Sequence, residues 1–561
     1  MDAQREVELK LELAKADLRK LRAAPAPPGF TAEPATTRAL RSIYFDTPGH
    51  ALRRAKWSLR VRRVGRKWVQ TVKAGTGVTG GLSRPREAEA EVAGPAPDLT
   101  LIREPAMREG LWQVIDGEPL APAFETVMRR TTRVFRREGD ETCIEMALDA
   151  GEIRAGEAVQ PLFEAELELK SGDPAALFAL AGSLPALAGA RFSRLSKAGR
   201  GYALAAGDET GTVPVTACEA ELTPWTGLAP AFRAILLSCM DQIAGNRDAV
   251  LERDDPEGPH QLRVGLRRLR SALKVHQPLI DADERRALDA AARDLALSVG
   301  ELRDLDVLVE EIVEPAMAVA RLGPDTALLD DAGLARRIEA ERRAVRKALR
   351  EQLAGPAVNA LLFRLGALAH GAGWRQEEQD AGWRKDKNGA GWRQGGDEAP
   401  RTDMKTDMTP DTKADTKAEA KAEATVGPFA AEALEKRWKA AARLAARIDE
   451  LSLEERHDLR KELKKLRYAV EFFRSAFPAR KVKPFLARLK TLQDVFGYLN
   501  DVVMAGKLAG LIAAGDRKPP AETALAAGFV LGWHEARAAH AFDNARALWD
   551  ETRRARRFWR G

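Results

Sequence analysis

Cysteine is scarce: Cys143, Cys218 and Cys239 are the only three in 561 residues. They are odd in number, widely spaced and form no CxxC pair, so neither a disulfide framework nor a thiolate zinc site is indicated. No run of about 18 apolar residues occurs, which argues against a transmembrane helix. The N-terminus is charged from Asp2 onward and has no apolar core of a signal peptide, so a reducing cytoplasm is the expected location. Excess charge is small too. Lys and Arg number 90 against 83 Asp and Glu, for a formal net charge of +7. Local clustering therefore matters more than the sum. At this length two or more domains are expected.

What is present begins with "REVELKLEL", Arg5 to Leu13. Val7, Leu9, Leu11 and Leu13 alternate with Glu6, Glu8, Lys10 and Glu12, the period of a half-buried strand. A short helical stretch near Leu13–Leu21 and a Pro-rich loop follow. Strand-like segments then recur, among them "ALRSIYFDT", "SLRVRRV", "KWVQTVK", "REAEAEVAG", "CIEMALDAG" and "FEAELELKSG". "RVRRVGRKWVQTV" reads as a hairpin turning at Val64–Arg66. About eight short strands separated by turns favour a closed antiparallel sheet, since closure removes exposed edges. Residues 1–207 thus form an α+β domain, 208–226 a linker, and 227–561 an all-α region. Within the latter, residues 371–427 carry AGWR three times and a tract nearly free of large apolar groups, and are expected to be disordered. The tryptophans at 374, 383 and 392 fit either a repeat-expanded linker or a docking motif.

The helical half contains a duplication. "HQLRVGLRRLRSAL" from His260 matches "HDLRKELKKLRYAV" from His457, and "VGELRDLDVL" matches "FGYLNDVVMA" in the same register. Leu262, Leu266, Leu269 and Leu273 make one apolar stripe, with Leu459, Leu463, Leu466 and Val470 as its counterpart. A second face carries His260, Arg263, Arg267 and Arg270, repeated as His457, Arg460, Lys464 and Arg467. One basic stripe reads as a solvated helix face; two matching ladders point to a polyanion that would relieve their repulsion and release counterions. The ladders interleave no aromatics for base stacking and match no reading motif, which argues against nucleic acid.

These duplicated motifs resemble the CHAD domain, a helical family named for a conserved histidine. The resemblance implies two pseudo-repeated helical bundles with a basic groove that binds inorganic polyphosphate through the eight ladder residues. Asn500 stands where the first copy has Arg303.

The strands show a second pattern. "FEAELELKS" repeats the opening one, with Glu164, Glu166, Glu168 and Lys170 at spacing two. Between these acidic ends lie basic strands, with Arg60 and Arg62 in "SLRVRR" and Lys73 in "QTVK". A solvated outer face explains any one such strand. Together they suit a lumen in which carboxylates hold a hard cation and guanidinium forks grip phosphate.

With ExExK at Glu6, Glu8 and Lys10, then "YFDT", "LRVR", "TVK", "EMALDAGEI" and "ELELK" in order, residues 1–207 resemble the CYTH domain of triphosphate tunnel metalloenzymes. The resemblance implies an eight-stranded antiparallel β tunnel barrel and Mg2+- or Mn2+-dependent chemistry on a triphosphate, in a family of inorganic, thiamine and RNA triphosphatases and class IV adenylyl cyclases. The attached polyphosphate-binding module makes inorganic triphosphate the expected substrate. It carries metal-ligand roles to Glu6, Glu8, Glu145, Glu166 and Glu168. It carries phosphate-gripping roles to Lys10, Arg60, Arg62, Lys73, Arg84, Arg130 and Lys197. The family's R-x-E-x-E reads "RPREAEAE" here, one residue longer, so either a bulge absorbs the insertion or Arg86 takes the place of Arg84. A polyphosphate-binding protein without turnover, and a class IV adenylyl cyclase holding ATP's triphosphate in the same lumen, stand beside the hydrolase reading.

Overall fold

The structure is a computed structural model. It describes residues 6–75, 77–208, 213–323, 329, 331–371, 383–385, 392–394, 425–513 and 520–560. The segment expected to be disordered, 371–427, lies outside the described residues apart from its two ends and two three-residue strands, Trp383–Lys385 and Trp392–Gln394. Two compact units emerge. The first comprises residues 1–217, 237–262 and 352–373; the second comprises 218–236, 263–351 and 374–561.

Unit 1 is built on one antiparallel sheet of twelve strands: β1 (Glu8–Glu12), β2 (Phe30–Ala32), β3 (Thr36–Asp46), β4 (Trp57–Val64), β5 (Lys67–Ala74), β6 (Val78–Thr79), β7 (Leu82–Ser83), β8 (Arg86–Val92), β9 (Ala121–Arg137), β10 (Cys143–Ala155), β11 (Ala158–Ser171) and β12 (Arg191–Phe192). The hydrogen-bonded path runs β6-β7-β1-β11-β10-β9-β3-β4-β5-β8, with β12 also on β1 and β2 also on β9. This differs from the expected eight. The additional strands include the two-residue β6, β7 and β12, which are too short to show any periodicity in sequence. Among the described residues the ladder is open between β8 and β6. The sheet curls until its ends approach, and Arg84–Pro85 joins β7 to β8 directly.

Among the described residues of 1–207, the sheet is accompanied by α1 (Lys15–Ala23), α2 (Ala51–Arg54), α3 (Pro105–Ile115), α4 (Ala175–Ser183) and α5 (Lys197–Ala206). Phe45, Leu59, Val61 and Val72 from the strands pack with Leu52, Met107, Leu111 and Ile115 to form one core. Asp46 of "YFDT" accepts hydrogen bonds from the backbone N–H groups of Leu52 and Arg53, so it holds α2. In β1, Leu9 and Leu11 are fully buried on one face. Glu8 and Lys10 on the other face are only 6 % and 5 % exposed, so that face is not solvated.

The helices from α6 onward are α6 (Leu228–Glu252), α7 (Glu257–Val275), α8 (Ala282–Val307), α9 (Glu314–Ala320), α10 (Asp331–Ala354), α11 (Pro356–His370), α12 (Val426–Ala445), α13 (Leu453–Phe473), α14 (Ala479–Ala505), α15 (Lys507–Ala513) and α16 (Ala521–Arg554). Unit 2 has two main cores. Leu434, Trp438, Leu463, Leu466, Phe485 and Trp549 centre one, and Leu305, Ile312, Leu334 and Val530 the other. The apolar stripes on α7 and α13 are buried throughout, as their spacing requires. Asp281 caps α8, and a Ser452–Glu455 capping box starts α13.

Candidate functional site

The curled sheet of unit 1 encloses a cavity of about 490 Å³ lined by charged side chains from β1, β4, β5, β8, β9, β10, β11 and α5. Register explains why charge faces charge. Glu8, Glu168 and Glu145 form one cross-strand row on β1, β11 and β10. The next inward row is Lys10, Glu166 and Ala147, and the next is Glu12, Glu164, Asp149 and Arg130. On the facing side Arg62 pairs in register with Ser42, Arg60 with Thr71, and Lys73 with Glu87.

The cations fall into two groups. Lys10, Arg130 and Lys197 are engaged: Lys10 donates to Glu166 at 2.5 Å and also bonds Glu8, Arg130 holds Asp149 bidentately, and Lys197 lies 2.8 Å from both Asp149 and Glu166. Burial raises Glu166, but Lys10, Lys197 and Arg130 outweigh it and hold the carboxyl well below its ordinary range. The arginines of β4 are less tightly paired. Arg60 reaches Glu87 and Glu89 only at 3.8 and 4.0 Å, and among the described residues its buried Nε has no hydrogen-bond partner. Burial lowers its guanidinium, but Tyr44, Glu87 and Glu89 outweigh it and raise the group above its ordinary range. Arg62 donates to the Ser42 hydroxyl at 3.1 Å. Burial, together with Arg60 and Arg130, pushes its guanidinium down to about 10. A group destabilised as a cation by its surroundings gains most from an incoming anion.

The carboxylate wall bears on the implied metal. Among the described residues no three His, Cys, Asp or Glu side chains converge as an ion cage, and the carboxylates turn to ammonium groups instead. The donor chemistry nevertheless fits a hard divalent cation. Carboxylates directly opposite one another across strands repel, as Glu8, Glu168 and Glu145 are placed to do. Burial pushes Glu6 up to about 9, against the pull of Lys73, with the carboxyls of Glu87 and Glu8 close by. A bound cation would relieve both, and an all-oxygen set suits Mg2+ or Mn2+.

Of the expected residues, Glu6, Glu8, Lys10, Arg60, Arg62, Lys73, Arg130, Glu145, Glu166, Glu168 and Lys197 all line this cavity. Arg84 does not, which corrects the expectation for it. β8 starts only at Arg86, and β5 and β8 pair from Lys73–Glu87 onward without a bulge, so the extra residue falls before the strand. Arg86 is exposed, and Arg84 donates to His370 Nδ1 at 3.1 Å. Glu87 and Glu89, left unassigned by the insertion, line the cavity. Tyr44 also lines it, and no charge pattern could have singled it out.

In unit 2 the ladder residues are partly engaged. Arg263 bonds Asp304 at 3.2 Å, Arg270 bonds Asp289 at 2.8 Å, and Arg467 lies 3.2 Å from Glu471. Arg267, Arg460 and Lys464 are half-buried and His457 is exposed. The two ladders meet electrostatically at Arg263. Burial, then Arg267 and Arg460, push that guanidinium down to about 10 against the opposing pull of Asp304. His260, the first rung, falls in unit 1.

A curled sheet around a charge-lined cavity, followed by helices with repeated basic ladders, is a two-part architecture. The chain is a fusion of a CYTH domain, matched over residues 4–202, with a CHAD domain, matched over residues 234–510. It is 36 % identical over 168 residues to an inorganic triphosphatase of Haemophilus influenzae, covering 29 % of this chain and 46 % of that protein. It is 25 % identical over 300 residues to an uncharacterized protein of Mycobacterium tuberculosis, covering 49 % of this chain and 53 % of that one. The chain thus spans about half the length of the curated relatives it matches. Among solved structures, the CHAD domain from Ricinus communis aligns at 25 % identity over 62 % of this chain and 98 % of its own, with a TM-score of 0.45. A putative adenylyl cyclase from Hippeastrum, described as revealing a dominant triphosphatase activity, aligns at 19 % identity over 36 % of this chain and 97 % of its own, with a TM-score of 0.25.

Proposed function

We propose that the cavity of unit 1 hydrolyses inorganic triphosphate with a divalent metal and that the basic helices of unit 2 bind inorganic polyphosphate. The observation that carries the first half is Arg62, matched only by a neutral hydroxyl and set beside Arg60, facing a wall of carboxylates across one cavity. In this reading the sheet acts as a tunnel barrel, supported by ion pairs that join β5 to β1, and residues 1–207 supply every cavity residue. Residues 208–226 are then the linker and 227–561 the polyphosphate-binding region.

Arg60 and Arg62 would take the phosphate oxygens through guanidinium forks, with Lys10 and Lys73 adding point charge. Arg130 and Lys197, locked to Asp149, Glu164 and Glu166, would fix the electrostatic floor in advance. Glu6, Glu8, Glu145 and Glu168 would hold the metal. Glu166 is the poorest ligand of the expected set, since three cations already neutralise it. When bound, the metal supplies charge neutralisation of the phosphoryl oxygens and a more acidic water. Phosphoryl transfer needs little else from the protein than positioning and charge.

The second half rests on the paired ladders and on two helix starts that repeat: α8 begins at Ala282 and α14 at Ala479, the same separation as His260 and His457. That agreement supports two pseudo-repeated bundles.

The test is phosphate release from inorganic triphosphate, ATP and thiamine triphosphate with Mg2+ or Mn2+, comparing wild type with Glu6→Gln/Glu8→Gln. Release from inorganic triphosphate, lost in the variant, is expected. No release from any substrate would sink the hydrolase reading, and pyrophosphate formation from ATP would redirect it to a cyclase.

A further inference from the structure

β1 carries Glu8 and Lys10, and along one side it pairs with β11 over its whole length. Its neighbour on the other side is in two pieces. β7 pairs with Glu8 and Leu9, and β12 pairs with Leu11 and Glu12. Each piece is two residues long, too short to keep a register unaided. The backbone closes the gap at Lys10, whose N–H donates to Gly81 O and whose carbonyl accepts from Ser193 N–H, both at 2.9 Å.

Asp241 of α6 reaches this gap from the β6–β7 side. Its Oδ1 accepts from the Gly80 N–H at 2.5 Å, at the turn of the β6–β7 hairpin. The same carboxyl feels the charge of Arg194, which follows β12. Leu237, one helical turn earlier, packs so closely that a Cβ on Gly80 would lie 2.7 Å from its Cδ2. α11 holds the same two pieces from another side. His370 accepts from Arg84, just beyond β7, and Phe363 packs on Phe192 of β12 with ring centroids 5.2 Å apart. Asn359 donates to the carbonyls of Leu187, Ala188 and Ala190, which lead into β12. All of these residues belong to unit 1.

We propose that Asp241 is a positioning residue of the hydrolytic cavity: it anchors the β6–β7 turn, and with it β7, against β1 and so fixes the register in which Glu8 and Lys10 face the substrate. A one-residue slip of β1 would turn Leu9 and Leu11 into the cavity instead. Asp241 lies inside the segment matched by the CHAD model. The hydrolytic cavity of this chain therefore depends on the first helix of its second domain. The inference rests on the hydrolase reading above.

The test uses the full chain with Asp241→Leu, Asp241→Asn and, as a stability control, Leu111→Ala in the core beneath α3. Asparagine keeps an Oδ1 acceptor for Gly80; leucine does not. Triphosphate hydrolysis and metal-free tripolyphosphate affinity by calorimetry are measured well below the melting temperature. Asp241→Leu is expected to lower both kcat/KM and affinity by about tenfold or more, the scale of effect that misplacing a binding group produces. Asp241→Asn is expected to restore most of both, and Leu111→Ala to lower the melting temperature alone. Asp241→Ala replaces the leucine variant if that fails to fold, with the same expected direction. A folded Asp241→Leu or Asp241→Ala with wild-type affinity and kcat/KM would overturn the proposal. A wild type that binds tripolyphosphate yet releases no phosphate would overturn the hydrolase reading instead, and the affinity comparison would still decide the role of Asp241.

Discussion

Lys73 on β5 bonds Glu6, two residues ahead of β1, although five strands separate β5 from β1 along the hydrogen-bonded path. The same ammonium lies 2.9 Å from Glu87 and 3.4 Å from Glu8. One cation thus serves three carboxylates and ties the two ends of the curled sheet together across the cavity. Lys73→Gln removes the charge and leaves those carboxylates facing one another. Breaking a largely buried pair in this way costs about 3–5 kcal/mol, read from urea unfolding. Millimolar Mg2+ or Mn2+ should restore more stability to the variant than it adds to wild type, because a metal cation would take over the lysine's role. Equal stabilisation of both proteins would remove the link between Lys73 and the metal site.

Arg60 and Arg62 should separate substrate grip from fold. Neither is tightly ion-paired: Arg60 meets carboxylates only near 4 Å, and Arg62 is matched by a neutral hydroxyl. Removing either leaves no buried carboxylate stranded, so stability should change little. Each alanine variant loses charge-assisted bonds to phosphate, worth about 2–3 kcal/mol, or roughly 30- to 150-fold in kcat/KM for triphosphate. Lysine at position 62 should recover only part of this, because it lacks the fork. Steady-state phosphate release is the measurement, and unchanged kcat/KM in both alanine variants would exclude them from the substrate site.

How far the sequence disclosed this site depended on periodicity. Glu6, Glu8, Lys10, Glu166 and Glu168 were legible because strict alternation puts one residue class on one face, and here the matching "ELELK" strand pairs directly with the opening one. Arg60, Arg62 and Lys73 followed for the same reason. Arg84 was misplaced because alternation does not say where a strand begins, and β8 begins two residues later. The strand count fell short because β6, β7 and β12 carry no pattern, and the residues that brace them come from α6 and α11, which begin at least 36 positions beyond β12 in the chain. In the helical half the stripes and ladders were legible from 3.6-residue spacing, whereas the acidic partners Asp289 and Asp304 come from a different helix and left no local trace.

His276 should give unit 2 a measurable dependence on pH. Its ring is fully buried among Phe232, Phe429 and Phe473, Nδ1 is engaged with the Ala272 carbonyl, and among the described residues Nε2 has no hydrogen-bond partner. Burial pushes the imidazole down to about 4. The unfolded chain, with an ordinary histidine near 6.5, therefore binds more protons than the folded one between these values. The stabilising contribution is complete above about pH 6.5 and is lost as pH falls toward 4, amounting to about 3 kcal/mol at most. Urea midpoints at pH 7 and pH 5 should differ less in His276→Gln than in wild type. Equal differences would mean that the imidazole is protonated or solvated in the folded protein.

The polyphosphate reading rests on the approach of the two ladders at Arg263 and Arg460. Arg263 is held down by burial and by two neighbouring cations, against one carboxylate, Asp304. An anion threading between α7 and α13 would relieve both arginines at once, so the two sites should behave as partners rather than independent anchors. Each single alanine variant should weaken long-chain polyphosphate binding. The double variant should fall short of the sum, because the first substitution already removes the repulsion that the anion relieves. Since polyanion binding releases counterions, the plot of log affinity against log salt should also become shallower by about 0.7 for each phosphate no longer neutralised. Calorimetric titration from low to physiological salt measures both quantities. A double variant with unchanged affinity and slope would show that polyphosphate, if bound, does not use the ladders. Unchanged slope with weaker binding would instead assign the arginines to packing, since an arginine that neutralises a phosphate must leave its mark on the salt dependence when it is removed.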